Sequence, residues 1–278
     1  MKLKEFFYLL GFRPAPRRYP TEVRTVSLPD VGTVRYAQWL HPKAYPAAPD
    51  PRHLAGLRHY LRPGDVAVDI GANIGDSTLP MALAVGREGT VLALEPNPFV
   101  YPSLELLATL NPDLATIVPL RIAATRADGP VSLFYGEPGH CNGGVKEDVS
   151  RWRHGSAFEV VSEGRRLDRL LATDYPALLP RLRLIKIDAE GHDLAVLETL
   201  VELVRARRPY LQVEFFNERK APPGYRMRLL GLLKDLGYEV FRLDGQADRL
   251  LAERITAANL HDHKTFDAFC LPADAAAA

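Results

Sequence analysis

The stretch Val66-Ala-Val-Asp-Ile-Gly-Ala-Asn-Ile-Gly-Asp-Ser-Thr78 constrains this chain more than any other. Its first half, Val66 to Ile70, is a short apolar run with the β-branched content of a strand buried on both faces. Two glycines then turn the chain before a helical pattern begins at Ser77. Strand, glycine turn and helix open a nucleotide-binding βαβ unit. The spacing Asp69-x-Gly71-x-x-x-Gly75 departs from the G-x-G-x-x-G in which the first helix faces a pyrophosphate. A ligand with adenosine but no phosphate needs the close backbone approach that Gly71 and Gly75 allow, and has no anion to set on the helix dipole. It tolerates a carboxylate such as Asp69 at the strand end. S-adenosylmethionine, carrying a sulfonium and an ammonium, is such a ligand.

The next strand, Thr90 to Leu94, runs into Glu95-Pro-Asn-Pro98. Glu95 follows Asp69 by 26 positions and stands at the tip of a second parallel strand, where a carboxylate accepts both ribose hydroxyls. The plainer alternatives are a strand-end acid for Glu95 and a capping or turn carboxylate for Asp69.

From Val66 onward strand and helix alternate, which predicts a parallel sheet with helices on both faces. Helices are expected over Ser77 to Val85 and Val100 to Leu110, with strands over Ala115 to Leu120, Gly129 to Gly136 and Ala157 to Ser162. A short helix over Arg166 to Ala172 follows. The loop Glu137 to Gly144 is polar and glycine-rich, and His140 and Asn142 are its candidates for substrate contact, against the alternative of an exposed loop of no consequence. Ahead of this domain, residues 1–62 read as an accessory segment. Its parts are strands Glu22 to Leu28 and Thr33 to Trp39 about a turn, a proline-rich loop, and a helix capped by Asp50. It covers a sheet edge or one side of a cleft, with His41 and Lys43 in its loop.

Arg183-Leu-Ile-Lys-Ile-Asp-Ala-Glu-Gly-His-Asp193 is the second stretch with chemical content. Leu182 to Ile187 reads as a buried strand, and from Asp193 an amphipathic helix sets Leu194, Leu197, Leu200, Val201 and Val204 on one face. The turn between presents Asp188, Glu190 and His192 at the carboxyl end of a central strand, the edge at which open α/β sheets bind ligands. The following strand, Tyr210 to Phe216, brings Glu214 and Asn217 to the same edge. The pattern closes with a helix over Arg226 to Leu236, a strand over Tyr238 to Leu243, a helical Ala247 to Ala258 and a final strand Thr265 to Leu271. The last strand is expected to run antiparallel to the rest. Residues 63–273 are expected to form one domain, the S-adenosylmethionine-binding one if that ligand is right, and 274–278 a frayed tail.

Composition matters mainly for what it excludes. A net charge of +1 over 278 residues gives no global argument for nucleic acid or an anionic membrane. No apolar run reaches the length of a membrane span. Two cysteines, Cys141 and Cys270, make neither a metal-ligand spacing nor a disulfide framework, so a reducing cytoplasm is the expected location. Oligomeric state is left open, a dimer being compatible.

Val68 to Asp76, Leu94 to Pro98, Cys141-Asn-Gly-Gly144, Arg166 to Leu171 and Ile185 to Gly191, taken in order, resemble the FkbM-type family of S-adenosylmethionine-dependent methyltransferases. The resemblance covers roughly residues 60 to 220. It implies the class I methyltransferase fold, a Rossmann-like three-layer α/β sandwich about a mostly parallel seven-stranded sheet with an antiparallel last strand. It implies O-methylation of a sugar, glycan or polyketide-type hydroxyl. Cofactor contacts would come from Asp69, Gly71, Ala72, Asn73, Gly75 and Ser77, from Glu95 on the ribose, from Asn97, Ala123 and Ala124 near the adenine, and from Asp188. Asp188 and Glu190 would face the methyl group or the acceptor.

An alcohol is a poor nucleophile at neutral pH, so a base is expected among Asp188, Glu190, His192 and His140. Asp188, Glu190 and Glu214 could instead hold Mg²⁺ or Ca²⁺ through oxygen ligands. Two other classes stay open at this level. One is a nicotinamide-dependent oxidoreductase, which shares the first βαβ half but not the glycine spacing; the other is a fold of the same kind that binds without catalysing.

Overall fold

The structure is a computed structural model, and it describes residues 17–135, 143–145, 158–217 and 221–273. An antiparallel hairpin comes first, β1 (Thr21–Leu28) and β2 (Gly32–Trp39), followed by α1 (Pro51–Leu57). Asp50 caps α1 as expected, its side chain accepting from the Arg52 N–H at 2.7 Å. The alternating region then gives β3 (Val66–Ile70), α2 (Thr78–Val85), β4 (Thr90–Leu94), α3 (Tyr101–Leu110) and β5 (Ile117–Leu120). After it come four strands and a helix: β6 (Ile122–Ala124), β7 (Gly129–Tyr135), β8 (Gly143–Val145), β9 (Phe158–Arg165) and α4 (Leu167–Thr173). The last third holds β10 (Leu182–Ile187), α5 (Asp193–Thr199), α6 (Val201–Arg207), β11 (Tyr210–Phe215) and α7 (Tyr225–Asp235). Strands β12 (Tyr238–Leu243), β13 (Leu251–Arg254) and β14 (Phe266–Pro272) close it.

The central sheet runs β13-β12-β14-β11-β10-β3-β4-β5. Pairing along β5, β4, β3, β10 and β11 is parallel, and β14 enters antiparallel between β11 and β12. Every residue of β3 is buried because both faces of the sheet are covered. One face packs Ala67, Leu184 and Phe269 under α1, α2 and α3, and the other packs Val68, Ile185 and Val213 under α4, α5 and α7. This is the three-layer α/β class that the alternating pattern predicts. The hairpin contributes Leu28, Val34 and Ala37 to the first of these cores.

Two expectations are corrected. The sheet has eight strands rather than seven, and the segment expected to be helical over Ala247 to Ala258 supplies the eighth. Leu250, at φ 60, closes a turn through Asp244 N–H to Leu250 O, and β13 then pairs with β12. Helix propensity there yields to the unpaired edge of β12, reinforced by Arg242–Glu253 at 2.7 Å and Arg254–Glu239 at 2.6 Å. A second sheet, β6-β9-β7-β8, also stands off the first.

Candidate active site

A cleft of about 740 Å³ opens at the carboxyl ends of β3, β4, β10 and β11. The turn after β3 is drawn toward its neighbours by backbone bonds, with Leu94 O accepting from Gly71 and Ala72 N–H and Ile70 O accepting from Asp188 N–H. Gly71 has φ 76, and a Cβ there would lie 1.9 Å from the Asp188 carbonyl oxygen, so only glycine lets the ends of β3 and β10 close. Gly75 serves a different contact, since its Cβ would meet Leu107 of α3 at 2.2 Å.

Glu95 sits where β4 ends and lines the cleft. Its Oε2 accepts the Asn73 N–H at 2.9 Å and its Oε1 the Asn97 N–H at 2.8 Å. Burial pushes its carboxyl up to about 7, despite those two hydrogen bonds to the charged form. Asn97 holds its own turn, its Oδ1 accepting the Phe99 N–H, and Ala123 and Ala124 of β6 extend the same wall. Tyr135 of β7 also faces the cleft, its phenol raised well above the usual range by burial and by Glu95.

Lys186 occupies the centre of the site. Its ammonium lies 3.3 Å from Asp69 Oδ1 and 3.1 Å from Asp188 Oδ2. Burial alone would lower its pKa, but the carboxylates of Asp188 and Asp69 hold it well above the ordinary value. Asp69, at 0% exposed, turns its other oxygen to the hydroxyls of Thr78 at 2.6 Å and Ser77 at 3.1 Å.

The turn after β10 is pinned by Asp193 rather than Asp188. Asp193 Oδ1 accepts from Ala189 N–H, and Oδ2 from Gly191 N–H and the Tyr225 hydroxyl. That leaves Asp188 and Glu190 on the cleft wall, Glu190 with φ 51, and His192 buried beside them at the start of α5. Glu214 of β11 faces the same end, and burial followed by the charges of Asp188, Asp193 and Glu190 pushes its carboxyl up to about 10.

Of the expected cofactor residues, Gly71, Asn73, Ser77, Glu95, Asn97, Ala123, Ala124 and Asp188 line the cleft. Asp69, Ala72 and Gly75 are buried and are not among the residues that line it. Asn217 also stands off the wall, its carbonyl accepting the Ala221 N–H just past β11, while His140 and Asn142 lie outside the described residues. Asp188, Glu190 and Glu214, the possible oxygen ligands, all line the cleft. Among the described residues no three His, Cys, Asp or Glu side chains are arranged around a cation position. Lys186 already engages Asp188, one of the three carboxylates, at 3.1 Å, and burial pushes the Glu214 carboxyl up to about 10, which weakens it as a ligand. His41, one of two loop residues considered for a cleft wall, instead stacks on Trp39 at 4.6 Å.

Lys186, Gln212, Asp267 and Tyr135 are cleft residues that the sequence reading missed. A lysine inside an otherwise apolar strand, two positions before Asp188, was a legible signal for the first. The other three depend on which strands become neighbours.

Residues 69–240 match the family described as the methyltransferase FkbM domain. The methyltransferase sdnD of Sordaria araneosa is 30% identical over 63% of this chain and 74% of its own length. The hexuronic acid methyltransferase AglP of Haloferax volcanii is 30% identical over 51% of this chain and 52% of its own. A crystal structure of a methyltransferase FkbM from Methylobacillus flagellatus KT aligns at TM-score 0.43 and 15% identity, covering 74% of this chain and 43% of that one. The chain thus spans about half the length of AglP and less than half of the aligned crystal chain. With the matched segment running from the end of β3 into β12, the chain belongs to the FkbM methyltransferase family.

Proposed function

We propose that the protein moves a methyl group from S-adenosylmethionine to a hydroxyl of a sugar, a glycan or a polyketide-type natural product in the cytoplasm. The observation that carries this reading is Glu95. Each of its oxygens accepts one backbone N–H and keeps a lone pair, so the pair can still take two ribose hydroxyls at the cleft wall. Asn97, Ala123 and Ala124 suit the adenine beside it, and the turn through Gly71 and Asn73 suits the amino-acid end. The name of AglP, a hexuronic acid methyltransferase, supports a sugar among the acceptors.

Bound there, S-adenosylmethionine supplies an electrophilic methyl on a sulfonium. Asp188, held by Lys186, takes the proton of the acceptor hydroxyl as the new carbon–oxygen bond forms and the sulfur–carbon bond breaks, leaving a neutral thioether. Such a base is worth about 10²- to 10⁴-fold, and holding the oxygen in line with the methyl contributes more. Glu190 and His192 orient the acceptor.

Calorimetry with S-adenosylhomocysteine and with NAD tests the cofactor. Binding of the first and not the second is expected, with Glu95→Ala weakening it about 10²-fold or more, as for two lost charge-assisted hydrogen bonds. NAD binding in preference would overturn S-adenosylmethionine as the cofactor. Asp188→Ala is expected to lower kcat by about 10²-fold or more. Wild-type turnover in that variant would remove Asp188 as the base.

A further inference from the structure

We infer that the cleft beyond Asp188 is an acceptor subsite for an uncharged, hydroxyl-rich ring, and that it disfavours acceptors bearing a carboxylate. This rests on the methyl-transfer reading above. Strand register supplies the geometry. Lys186 of β10 stands beside Gln212 of β11, and Glu214 beside Asp267 of β14, so the four side chains leave one face of the sheet on adjacent strands.

Gln212 is 4% exposed, lines the cleft, and its Oε1 has no hydrogen-bond partner among the described residues. Glu214 Oε2 is likewise enclosed and without one. Buried polar atoms in native proteins are nearly always satisfied, and two orphans on one strand of a cleft wall point to a ligand that completes them. A polyol does so. One hydroxyl can donate to Gln212 Oε1, and another can donate to Glu214 Oε2 or accept a hydrogen bond from that carboxyl, whose pKa burial raises.

A carboxylate finds the opposite. Asp188, Glu190 and Asp267 face the same end, and Asp267 is itself pushed up to about 6 by burial and by Asp188. Lys186, the one described lysine or arginine on the wall, is already engaged by Asp69 and Asp188. Tyr45, from the loop after β2, lines the same cleft and is 65% exposed, so its ring is available to pack on the C–H face of a sugar. On this reading the chain differs from AglP, whose name specifies a hexuronic acid.

Methyl uptake from radiolabelled S-adenosylmethionine by the full chain decides the matter, using two matched pairs: methyl glucoside against methyl glucuronide, and methyl galactoside against its galacturonide. The neutral member of at least one pair should be used, with kcat/KM at least about tenfold above its charged partner. Gln212→Leu should raise KM for that sugar about tenfold while S-adenosylhomocysteine affinity holds, and Glu214→Lys should shrink or reverse the preference. Should either variant fail to fold, the wild-type ratio alone decides. Equal or better use of the uronides overturns the inference, as does the absence of uptake by all four sugars when S-adenosylhomocysteine binds. If S-adenosylhomocysteine does not bind, the methyl-transfer reading fails first and takes this inference with it.

Discussion

Removing the Lys186 ammonium would leave Asp69, sealed from water, facing no cation. Breaking a buried pair from one side costs about 3–5 kcal/mol, so Lys186→Met should lower unfolding stability by that order in urea titrations. Gly71 is constrained by space and by φ together. Gly71→Ala should cost more than about 2 kcal/mol, because either the turn or the end of β10 must move. A stable Gly71→Ala protein would mean that the two strand ends do not close as described. Glu95 supplies a pH signature. Its folded-state pKa of about 7 lies above the ordinary 4.5, so the fold binds the extra proton. Its stabilising contribution is therefore complete below about pH 4.5 and is lost as pH climbs through about 7. Asp76 and Asp193, both pushed up to about 6 chiefly by burial, add to the same slope from a lower starting point. The melting temperature of the free protein should fall between pH 4.5 and 7.5, and Glu95→Gln should flatten the upper part of that fall.

Among the elements, α7 carries a device invisible in any hydrophobic pattern. Arg226 is buried, and its guanidinium donates to the carbonyls of Phe215 and Phe216 at the end of β11. It also donates to those of Leu260, His263 and Lys264 in the segment before β14. One side chain thereby ties two strand ends together and fixes the approach to Phe266 and Asp267 on the cleft wall. Arg226→Leu should cost about 3 kcal/mol or more, since several buried carbonyls lose a charged donor. Hydrogen exchange should quicken over residues 260–267 before the rest of β14. Unchanged exchange there would show that the segment is held by other contacts. Asp193 plays a comparable part for the turn after β10, bonding Ala189, Gly191 and Tyr225 so that its neighbours are left for chemistry.

At the scale of the molecule, the leading hairpin belongs to the core it covers. Leu28, Val34 and Ala37 pack in one cluster with Leu104 and Leu107 of α3, and Trp39 packs with Ile74 and Val100. Each such side chain is worth about 1.5–3 kcal/mol when fully buried. A chain beginning at Asp50 should melt about 10 °C or more below the full chain, and it should lose the wall that Tyr45 and Pro46 supply. An unaltered melting temperature would mark the hairpin as a separable appendage. No helix among the described residues is long and apolar enough to cross a membrane.

The sequence by itself determined the strand–turn–helix after Val66, the acid ending β4, the acidic turn after β10 and the antiparallel final strand. Each is written within about a dozen residues, as glycine positions, apolar periodicity or the composition of a turn. Only the tertiary structure decided that Asp69 and Gly75 are buried off the cleft lining, that Asp193 rather than Asp188 holds its turn, and that residues 251–254 pair as a strand. Only it brought Lys186, Gln212, Glu214 and Asp267 to one face. Those outcomes depend on which strands become neighbours and in what register, and a one-residue slip would send every one of those side chains to the opposite face.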